Sequence, residues 1–326
     1  MKYSFPKLKS SLALLIVLTM FTVTGWSQVY PTKPIVIIDA FAPGATTDIL
    51  ARIVAPRMSQ TFGQPVLIES RVGANGVVGS EYVAKAPPDG YTIFVGSTST
   101  LAVNQSLYKM NFDPLKGLAP VSLIASQPLI VLVHPSLPVK TIEELVAYGK
   151  AHPNALNFAT PGIGNPVHLA TELFKKMTDT PMTHIPYAKG SAAAIPDLIS
   201  GRIQVMFAPV YFLPLVKDGR LRALAVTSKK RLNLLPDVPT VAESGALDYE
   251  ATLWNAFAVP AGTPKDIVTK LNAEIGRILT LPEVRQQLLE TGLDPIPSSV
   301  EQQAAFTISE ADRWTRLVRE LSIKVE

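Results

Sequence analysis

The sequence predicts an α/β protein of two lobes with a central cleft between them. The first observation is that strand-like and helix-like segments alternate from Pro34 to the end of the chain, which is typical of layered sheets with helical crossovers. The second is that irregular segments at 118–128 and 245–253 interrupt this alternation. A chain that crosses at both segments makes two compact halves joined by two crossover strands.

These interruptions set the predicted lobe limits. Residues 28–127 together with 251–326 form the first lobe, and residues 128–250 form the second. About 300 residues are enough for two lobes that each bury a core of their own.

Each element has a local justification. Short apolar runs bounded by Gly, Pro or Asn predict strands, apolar residues three and four apart predict helices, and Gly201 and Gly292 stand where helix C-termini favour glycine. The predicted strands are 34–40, 65–69, 91–96, 129–134, 155–160, 182–186, 203–208, 221–227 and 255–259. The predicted helices are 47–61, 76–86, 142–151, 166–177, 190–200, 212–218, 264–280, 282–291 and 299–322.

Residues 1–27 have the pattern of a secretory signal peptide. Three lysines precede an apolar run at 12–23, and the small residues Gly25 and Ser27 stand at the −3 and −1 positions of a cleavage site before Gln28. The run is shorter than the roughly 20 apolar residues that a spanning helix needs. The alternative is a buried helix. We expect export to the periplasm and removal of this segment.

Charge and cysteine content narrow the function classes. The chain carries a formal charge of +4, but three lysines and no acids lie in residues 1–27, which leaves +1 on the remainder. No basic stripe is then available to neutralise phosphates, so the sequence gives no indication of a nucleic-acid partner. The chain has no cysteine, which excludes disulfides and thiolate chemistry.

Four loops have the composition of anion cradles. Each follows a predicted strand and combines glycine with hydroxyl or amide side chains, at 42–48, 96–100, 160–166 and 187–192. Backbone N–H groups near glycine are unobstructed, and a helix that begins at such a loop adds about half a positive charge. Two of the loops fall in each predicted lobe, as a cleft closing on a small anion requires. The alternative for each is an ordinary strand-to-helix connection.

Other motifs indicate chemistry only weakly. Gly162 and Gly164 match the first two glycines of a dinucleotide-binding fingerprint, but Val167 stands where the third is required. The four histidines include no pair four residues apart, so we expect no metal site, and no Gly-x-Ser-x-Gly nucleophile elbow is present. We expect no cofactor and no catalytic residue.

Asp39 and Asp48 admit more than one interpretation. They have the residue types of a catalytic dyad, whereas the simpler alternatives are an acid at the end of a strand and an acid in the first turn of a helix. In the second interpretation Asp48 orders the loop and does not contact an anionic ligand.

Collinear motifs along the mature chain resemble the Bug/TctC-type extracytoplasmic solute-binding receptors of tripartite tricarboxylate transporters. The motifs are Gln28-Val-Tyr-Pro-Thr-Lys-Pro-Ile35, Phe41-Ala-Pro-Gly44 with Thr47-Asp48, Pro88-Asp-Gly-Tyr91, Pro186-Tyr-Ala-Lys-Gly190, Leu221-Arg-Ala-Leu-Ala-Val-Thr227, Pro236-Asp-Val-Pro-Thr-Val241 and Pro260-Ala-Gly-Thr-Pro264. The resemblance implies a type II periplasmic-binding-protein fold that closes around a ligand carboxylate held by backbone N–H groups of both lobes.

Two positions depart from the family pattern. Ala45 stands where the first loop of the family usually has a second glycine, and Ala208 stands where many members have an aspartate. The absence of an acid at 208 removes one contact to a cationic group of a ligand. With Tyr211 and Phe212 nearby, it favours a ligand without an amino group and with an apolar or aromatic body.

The sequence therefore predicts a periplasmic receptor for a small organic carboxylate, aromatic or dicarboxylic, that delivers it to membrane transporter subunits and works as a monomer. The alternatives are a ligand-sensing receptor of a signalling system and a secreted α/β hydrolase. Backbone N–H groups are expected to supply the anion contacts, with Phe41 and Tyr187 as apolar walls. The predicted ligand-binding residues are Phe41, Gly44, Ala45, Thr46, Thr47, Asp48, Ser97, Thr98, Gly162, Gly164, Asn165, Tyr187, Lys189, Gly190, Ser191 and Ala208.

Overall fold

The computed structural model describes residues 1–2, 30–187 and 190–325. Lys33–Glu326 forms one compact unit. The predicted signal peptide, apart from its first two residues, lies outside the described residues, and so does Lys189.

The first sheet has six strands in the order β11-β4-β10-β3-β1-β2. Strands β3, β1 and β2 run parallel and form one half of the sheet, and β10 runs antiparallel to both β3 and β4. The strands are β1 (Ile35–Asp39), β2 (Val66–Ser70), β3 (Thr92–Ser97), β4 (Leu118–Gln127), β10 (Leu253–Pro260) and β11 (Asp294–Pro295).

The second sheet has five strands in the order β7-β6-β8-β5-β9. Here β6 runs parallel to β7 and β8, and β5 runs antiparallel to β8 and β9. The strands are β5 (Leu129–Val133), β6 (Asn157–Thr160), β7 (Thr183–Pro186), β8 (Val205–Pro209) and β9 (Arg222–Val226). The two sheets are the centres of the two lobes of an α/β fold.

Helices connect and cover the strands. They are α1 (Thr46–Phe62), α2 (Val77–Ala84), α3 (Pro114–Gly117), α4 (Ile142–Ala151), α5 (Pro166–Thr178), α6 (Ser191–Ile199), α7 (Leu213–Lys217), α8 (Lys265–Thr280), α9 (Pro282–Glu290) and α10 (Val300–Glu320). None of the helices in the described part of the chain is long and apolar enough to cross a membrane. Every predicted strand and helix has a counterpart whose ends lie within two residues of the predicted ones.

Helices on both faces explain why β5 is apolar throughout. Leu129, Val131 and Val133 belong to the core cluster that includes Phe174 of α5. The intervening residues of β5 belong to a second cluster, which includes Leu198 of α6. A strand covered on both faces has no solvent-facing side, so it shows a continuous apolar run and no alternation.

The prediction of an irregular segment at 118–128 was wrong, because this segment contains the ten-residue strand β4. Two register shifts interrupt the pairing of β4 with β10, and one of them lies beside Pro120. Proline is tolerated in a strand at such a bulge. The carbonyl of Val121 at the first shift accepts from Asn272, and that of Ile124 at the second accepts from the Ile296 N–H. The bulges conceal the strand periodicity in the sequence.

The two connections between the sheets meet at Thr227. The chain passes from β4 to β5 through Pro128 alone and returns through 227–252. Thr227 Oγ1 accepts from the Leu129 N–H at 2.8 Å, and the Thr227 N–H donates to the Leu129 carbonyl at 2.9 Å. The Thr227 carbonyl accepts from the Ala251 N–H. One buried threonine therefore joins the outgoing and the returning segment.

Candidate ligand-binding site

The first predicted loop turns at Gly44 and is ordered by Asp48. Gly44 has φ +85°, and its N–H donates to Asp48 Oδ2 at 2.8 Å. Both carboxylate oxygens of Asp48 also accept from Arg52 Nε at 2.9 Å. Burial by itself raises the pKa of the Asp48 carboxyl, but the hydrogen bonds from Arg52 and Gly44 outweigh it and hold the pKa below its ordinary value. Asp48 is thus an ionised, loop-ordering group.

Helix α1 begins at the C-terminal end of this loop and has no side-chain cap. Ala45 is the N-cap residue and has no side-chain acceptor, and Thr46 is the first helical residue. The hydroxyl of Thr47 points back to Asp39 Oδ1 at 2.7 Å. Because no side-chain cap covers the first turn, its N–H groups are available to an anion.

The second predicted loop is joined to the first through Gly76. A Cβ placed on Gly76 would lie 2.5 Å from Thr100 Cγ2 and 3.1 Å from Phe41 Cζ, so only glycine leaves room for both side chains. Sequence analysis did not identify Gly76 as a site residue, because a glycine before a helix is a common feature that does not by itself indicate a close contact. The structure therefore brings Phe41 beside the segment that follows Ser97.

The hydroxyls of this second loop have different surroundings. Thr98 Oγ1 accepts from the Trp254 N–H at 2.8 Å and donates to the Trp254 carbonyl at 3.2 Å. Thr98 therefore fastens β10 to the end of β3. Ser97 Oγ is buried and has no hydrogen-bond partner among the described residues, so its hydroxyl keeps its full hydrogen-bonding capacity.

The third and fourth loops lie side by side at one edge of the second sheet. The Tyr187 N–H donates to the Thr160 carbonyl at 2.8 Å, and the Gly190 N–H donates to the Tyr187 carbonyl at 2.9 Å. Tyr187 Oη donates to Asp197 Oδ2 at 2.6 Å, which fixes its ring. Ser191 then opens α6 with Gly190, at φ +91°, as a cap residue without a side chain.

The third loop reaches the first lobe. A Cβ on Gly164 would lie 2.4 Å from Leu107 Cδ1, so the loop backbone is in close contact with the segment that follows β3. Gly162 has φ +150° and open space where a side chain would be. Asn165 Oδ1 accepts from the Val167 N–H at 2.9 Å and caps α5, which makes the side chain of Asn165 a part of the scaffold.

Two stacked histidines hold the third loop from below. Their ring centroids are 4.1 Å apart, and His168 Nδ1 accepts from the Gly164 N–H at 3.2 Å. His184 Nε2 lies 2.6 Å from Thr160 Oγ1. Burial, with His184 and Lys175 nearby, lowers the pKa of His168 to about 3, and burial with Lys175 lowers the pKa of His184 to about 4. Both rings are therefore neutral near pH 7 and act as hydrogen-bonding supports, a role that the sequence did not indicate.

Ala208 lies in the interior of the second lobe. It pairs with Ile130 in the sheet, is fully buried and belongs to the core cluster that contains Leu198. No carboxylate is present at this position, as the sequence indicated, and the methyl group packs among apolar side chains.

The sheet register relates the loops to the two crossover segments. Ser97 at the end of β3 pairs with Asn255, and Leu253 pairs with Gln127, the last residue of β4. After Pro128, β5 begins at Leu129, which pairs with Pro209 at the end of β8. The loop after β3 therefore lies beside the strand that returns to the first sheet, and the loop after β6 lies at the same edge of the second sheet as Pro209, because β6 and β8 are parallel. Such an arrangement can hold a small anion between backbone N–H groups.

Comparison with known proteins agrees with this architecture. Residues 50–323 match the model of the tripartite tricarboxylate transporter family receptor. Protein BugT of Bordetella pertussis is 37% identical over 306 residues, covering 92% of this chain and 93% of its own.

Solved structures are similar along most of the chain. An R. palustris protein solved with adipate has a TM-score of 0.83 and 36% identity, covering 91% of this chain and 100% of its own. MatC from Rhodopseudomonas palustris, with bound malate, has a TM-score of 0.78 and 30% identity, covering 89% and 100%. The fold is accordingly that of the two-lobed periplasmic binding proteins, and the chain belongs to the tripartite tricarboxylate transporter receptor family.

Proposed function

We propose that this protein captures a small organic carboxylate in the periplasm and delivers it to the membrane subunits of a tripartite tricarboxylate-type transporter. The observation that carries the proposal is a pair of helices, α1 and α6, one in each lobe. Both begin at a glycine-containing loop, and neither cap residue has a side-chain acceptor. Their first-turn N–H groups and positive dipole ends suit a carboxylate.

The relatives support the ligand class. Adipate and malate are named in two of the similar structures, and both are dicarboxylates. In this chain we expect the ligand to contact the loops at 42–48, 96–100, 160–166 and 187–192, including Lys189. The first lobe is expected to comprise residues 28–127 and 251–326, and the second lobe residues 128–250. Apolar Ala208 in place of an acid favours an acid without an amino group, because a buried ammonium would lack that counter-charge.

A thermal-shift and calorimetry screen tests the ligand class. The panel contains adipate, malate, succinate and aromatic mono- and dicarboxylates, with aspartate and glutamate as the amino-containing controls. A specific ligand at 100 times its Kd stabilises the protein by about 2.7 kcal/mol. Tighter binding of aspartate or glutamate than of every other acid would contradict the expected preference for acids without an amino group. Chemical conversion of any acid would contradict the proposal that the protein is a receptor.

Export and delivery have separate tests. Mass spectrometry of the periplasmic fraction is expected to show a monomeric chain that starts at Gln28. Deletion of the gene is expected to abolish uptake of the acid that binds. If the deletion strain still takes up the acid but no longer changes its transcription in response to it, the protein would be a sensing receptor.

A further inference from the structure

Asp39 closes the first loop with a single oxygen atom. Its Oδ1 accepts from the Phe41 N–H at 3.0 Å, on the strand side of the loop, and from Thr47 Oγ1 at 2.7 Å, on the helix side. Asp39 is fully buried at the last position of β1. The two bonds fix both ends of the segment that turns at Gly44, so the shape of the anion cradle depends on this carboxyl group.

The other oxygen of Asp39 has no such partner. Asp39 Oδ2 is buried and makes no hydrogen bond among the described residues. A carboxylate in this position is costly, because a buried charge needs a cation or several donors.

The charged groups around Asp39 do not compensate it. On α1, Arg52 is bonded to Asp48, which itself adds negative charge beside Asp39. After the end of β2, the Arg71 guanidinium pairs with Glu69 at 2.6 Å, and the Arg71 backbone N–H donates to the backbone carbonyl of Asp39 at 2.7 Å. On the neighbouring strand β3 the uncharged Val95 pairs with Asp39, and Gly79 of α2 packs against the adjacent Ala40.

We propose that Asp39 is a positioning residue that takes up a proton on Oδ2 when the first loop binds an anion, so that ligand capture is coupled to proton uptake. This inference rests on the proposed function of the loop. The proton comes from solvent, and no bond of the ligand is broken. The neutral acid keeps Oδ1 as the acceptor for Phe41 and Thr47, so the loop retains its shape while the repulsion between carboxyl and ligand disappears.

The acidity of the two loop carboxyls supports this division of roles. Burial raises the pKa of Asp39 to about 6, against the hydrogen bonds from Thr47 and Phe41, which lower it. Asp48, bonded to Arg52 and Gly44, has its pKa shifted the other way. A bound anion raises the pKa of Asp39 further, through the range in which periplasmic pH lies.

The first experiment needs no ligand. Carbon-detected NMR titration of the aspartate carboxyls in the whole protein is expected to show a midpoint near pH 6 that is absent in Asp39→Asn, with the Phe41 amide following the same midpoint. Thr47→Val removes one bond that lowers the pKa, so its midpoint is expected to move upward. A midpoint of Asp39 below about pH 4.5, or a Phe41 amide that ignores the titration, would overturn the positioning role.

The second experiment measures the coupling. Calorimetry with adipate, or with whichever acid of the panel binds most tightly, is run at pH 7 in buffers of different ionisation enthalpy. Wild type is expected to take up a fraction of a proton and to lose up to tenfold in affinity per pH unit above pH 7. Asp39→Asn is expected to lose both effects, whereas Asp113→Asn, at an acid outside the loop, keeps them.

The two experiments separate the two hypotheses. Binding of the acid with no proton uptake would refute the coupling and leave the receptor function standing. If no acid of the panel binds, the proposed function and the coupling both fail, while the titration still decides whether Asp39 positions the loop.

Discussion

At the scale of single residues, neutral histidines support the loop that approaches the first lobe. His168 accepts from the Gly164 N–H through Nδ1, so its proton is on Nε2, which faces Glu172 Oε1 at 3.7 Å. Protonation of Nδ1 would remove the acceptor and place a positive charge in the buried stack with His184. The loop geometry therefore depends on both rings staying uncharged.

This dependence predicts how stability changes with pH. The pKa of His168 in the folded protein is about 3 and that of His184 about 4, both below the unfolded value of 6.5. The contribution of each neutral ring to the free energy of unfolding is complete above pH 6.5. It is lost as the pH falls from 6.5 towards the folded pKa, because the unfolded state then binds more protons. His168 contributes a slope of about 1.4 kcal/mol per pH unit between pH 6 and 4.5, and the half-buried His184, whose folded pKa lies closer to this window, contributes less.

Replacement of His168 by Asn isolates one of these contributions. Asn keeps an acceptor near the Nδ1 position but does not titrate, so urea unfolding from pH 6 to 4.5 is expected to show a slope smaller by about 1.4 kcal/mol per pH unit. His152→Asn, at an exposed ring, controls for the loss of a histidine as such. Equal slopes for wild type and His168→Asn would show that His168 does not stay neutral in the fold.

At the scale of elements, the two uncapped helices balance stability against binding. A side-chain cap at the N-terminus of a helix normally adds about 0.5–2 kcal/mol to the free energy of unfolding. Helix α1 lacks this contribution because its N-cap residue is Ala45. By contrast, α5 is capped by Asn165 and α10 by Ser299. The helices α1 and α6, which follow two of the predicted anion loops, have no side-chain acceptor at the cap, whereas α5, which follows a third, is capped by Asn165.

Ala45→Asp tests whether the α1 N-terminus is the anion site. The new carboxylate caps the helix, so unfolding is expected to cost about 0.5–2 kcal/mol more. It also occupies the same N–H groups and adds negative charge, so the affinity for the bound acid is expected to fall at least tenfold, measured by calorimetry. Ser299→Ala changes a cap on α10, away from the loops, and serves as the control. A stabilised variant with unchanged affinity would remove α1 from the site.

At the scale of the whole molecule, Thr227 fastens the two crossovers. Replacement by Val keeps the shape of the side chain but leaves the buried Leu129 N–H without its acceptor. An unsatisfied buried donor costs about 1–3 kcal/mol, which is the expected loss of unfolding free energy in urea.

Thr171→Val is the matched control for this experiment. Its side chain is also fully buried, but its hydroxyl only donates to the Val167 carbonyl within α5. We expect a loss well below that of Thr227→Val, because no backbone donor is left unpaired. Equal losses for the two variants would mean that Thr227 contributes nothing specific to the junction of the lobes.

The sequence by itself determined the order of elements and the positions of the loops. Strand and helix periodicities, helix-terminal glycines and the apolar run of β5 are local signals, carried by residues within a few positions of one another. They placed each predicted element within two residues and put the loop at Gly44 between a strand and a helix. The same signals failed for β4, because its bulges and Pro120 break the period of two.

Only the tertiary structure decided what the individual groups of the site do. The hydroxyl of Thr98 is bound by Trp254, 156 residues away, and Phe41 fits beside Thr100 because Gly76 has no side chain. The environment of Asp39 follows from complete burial between strands and a helix. Burial and long-range partners depend on how distant segments pack. A sequence therefore shows which groups a loop contains. Their protonation states and their unsatisfied hydrogen-bonding positions are set only when the chain has folded.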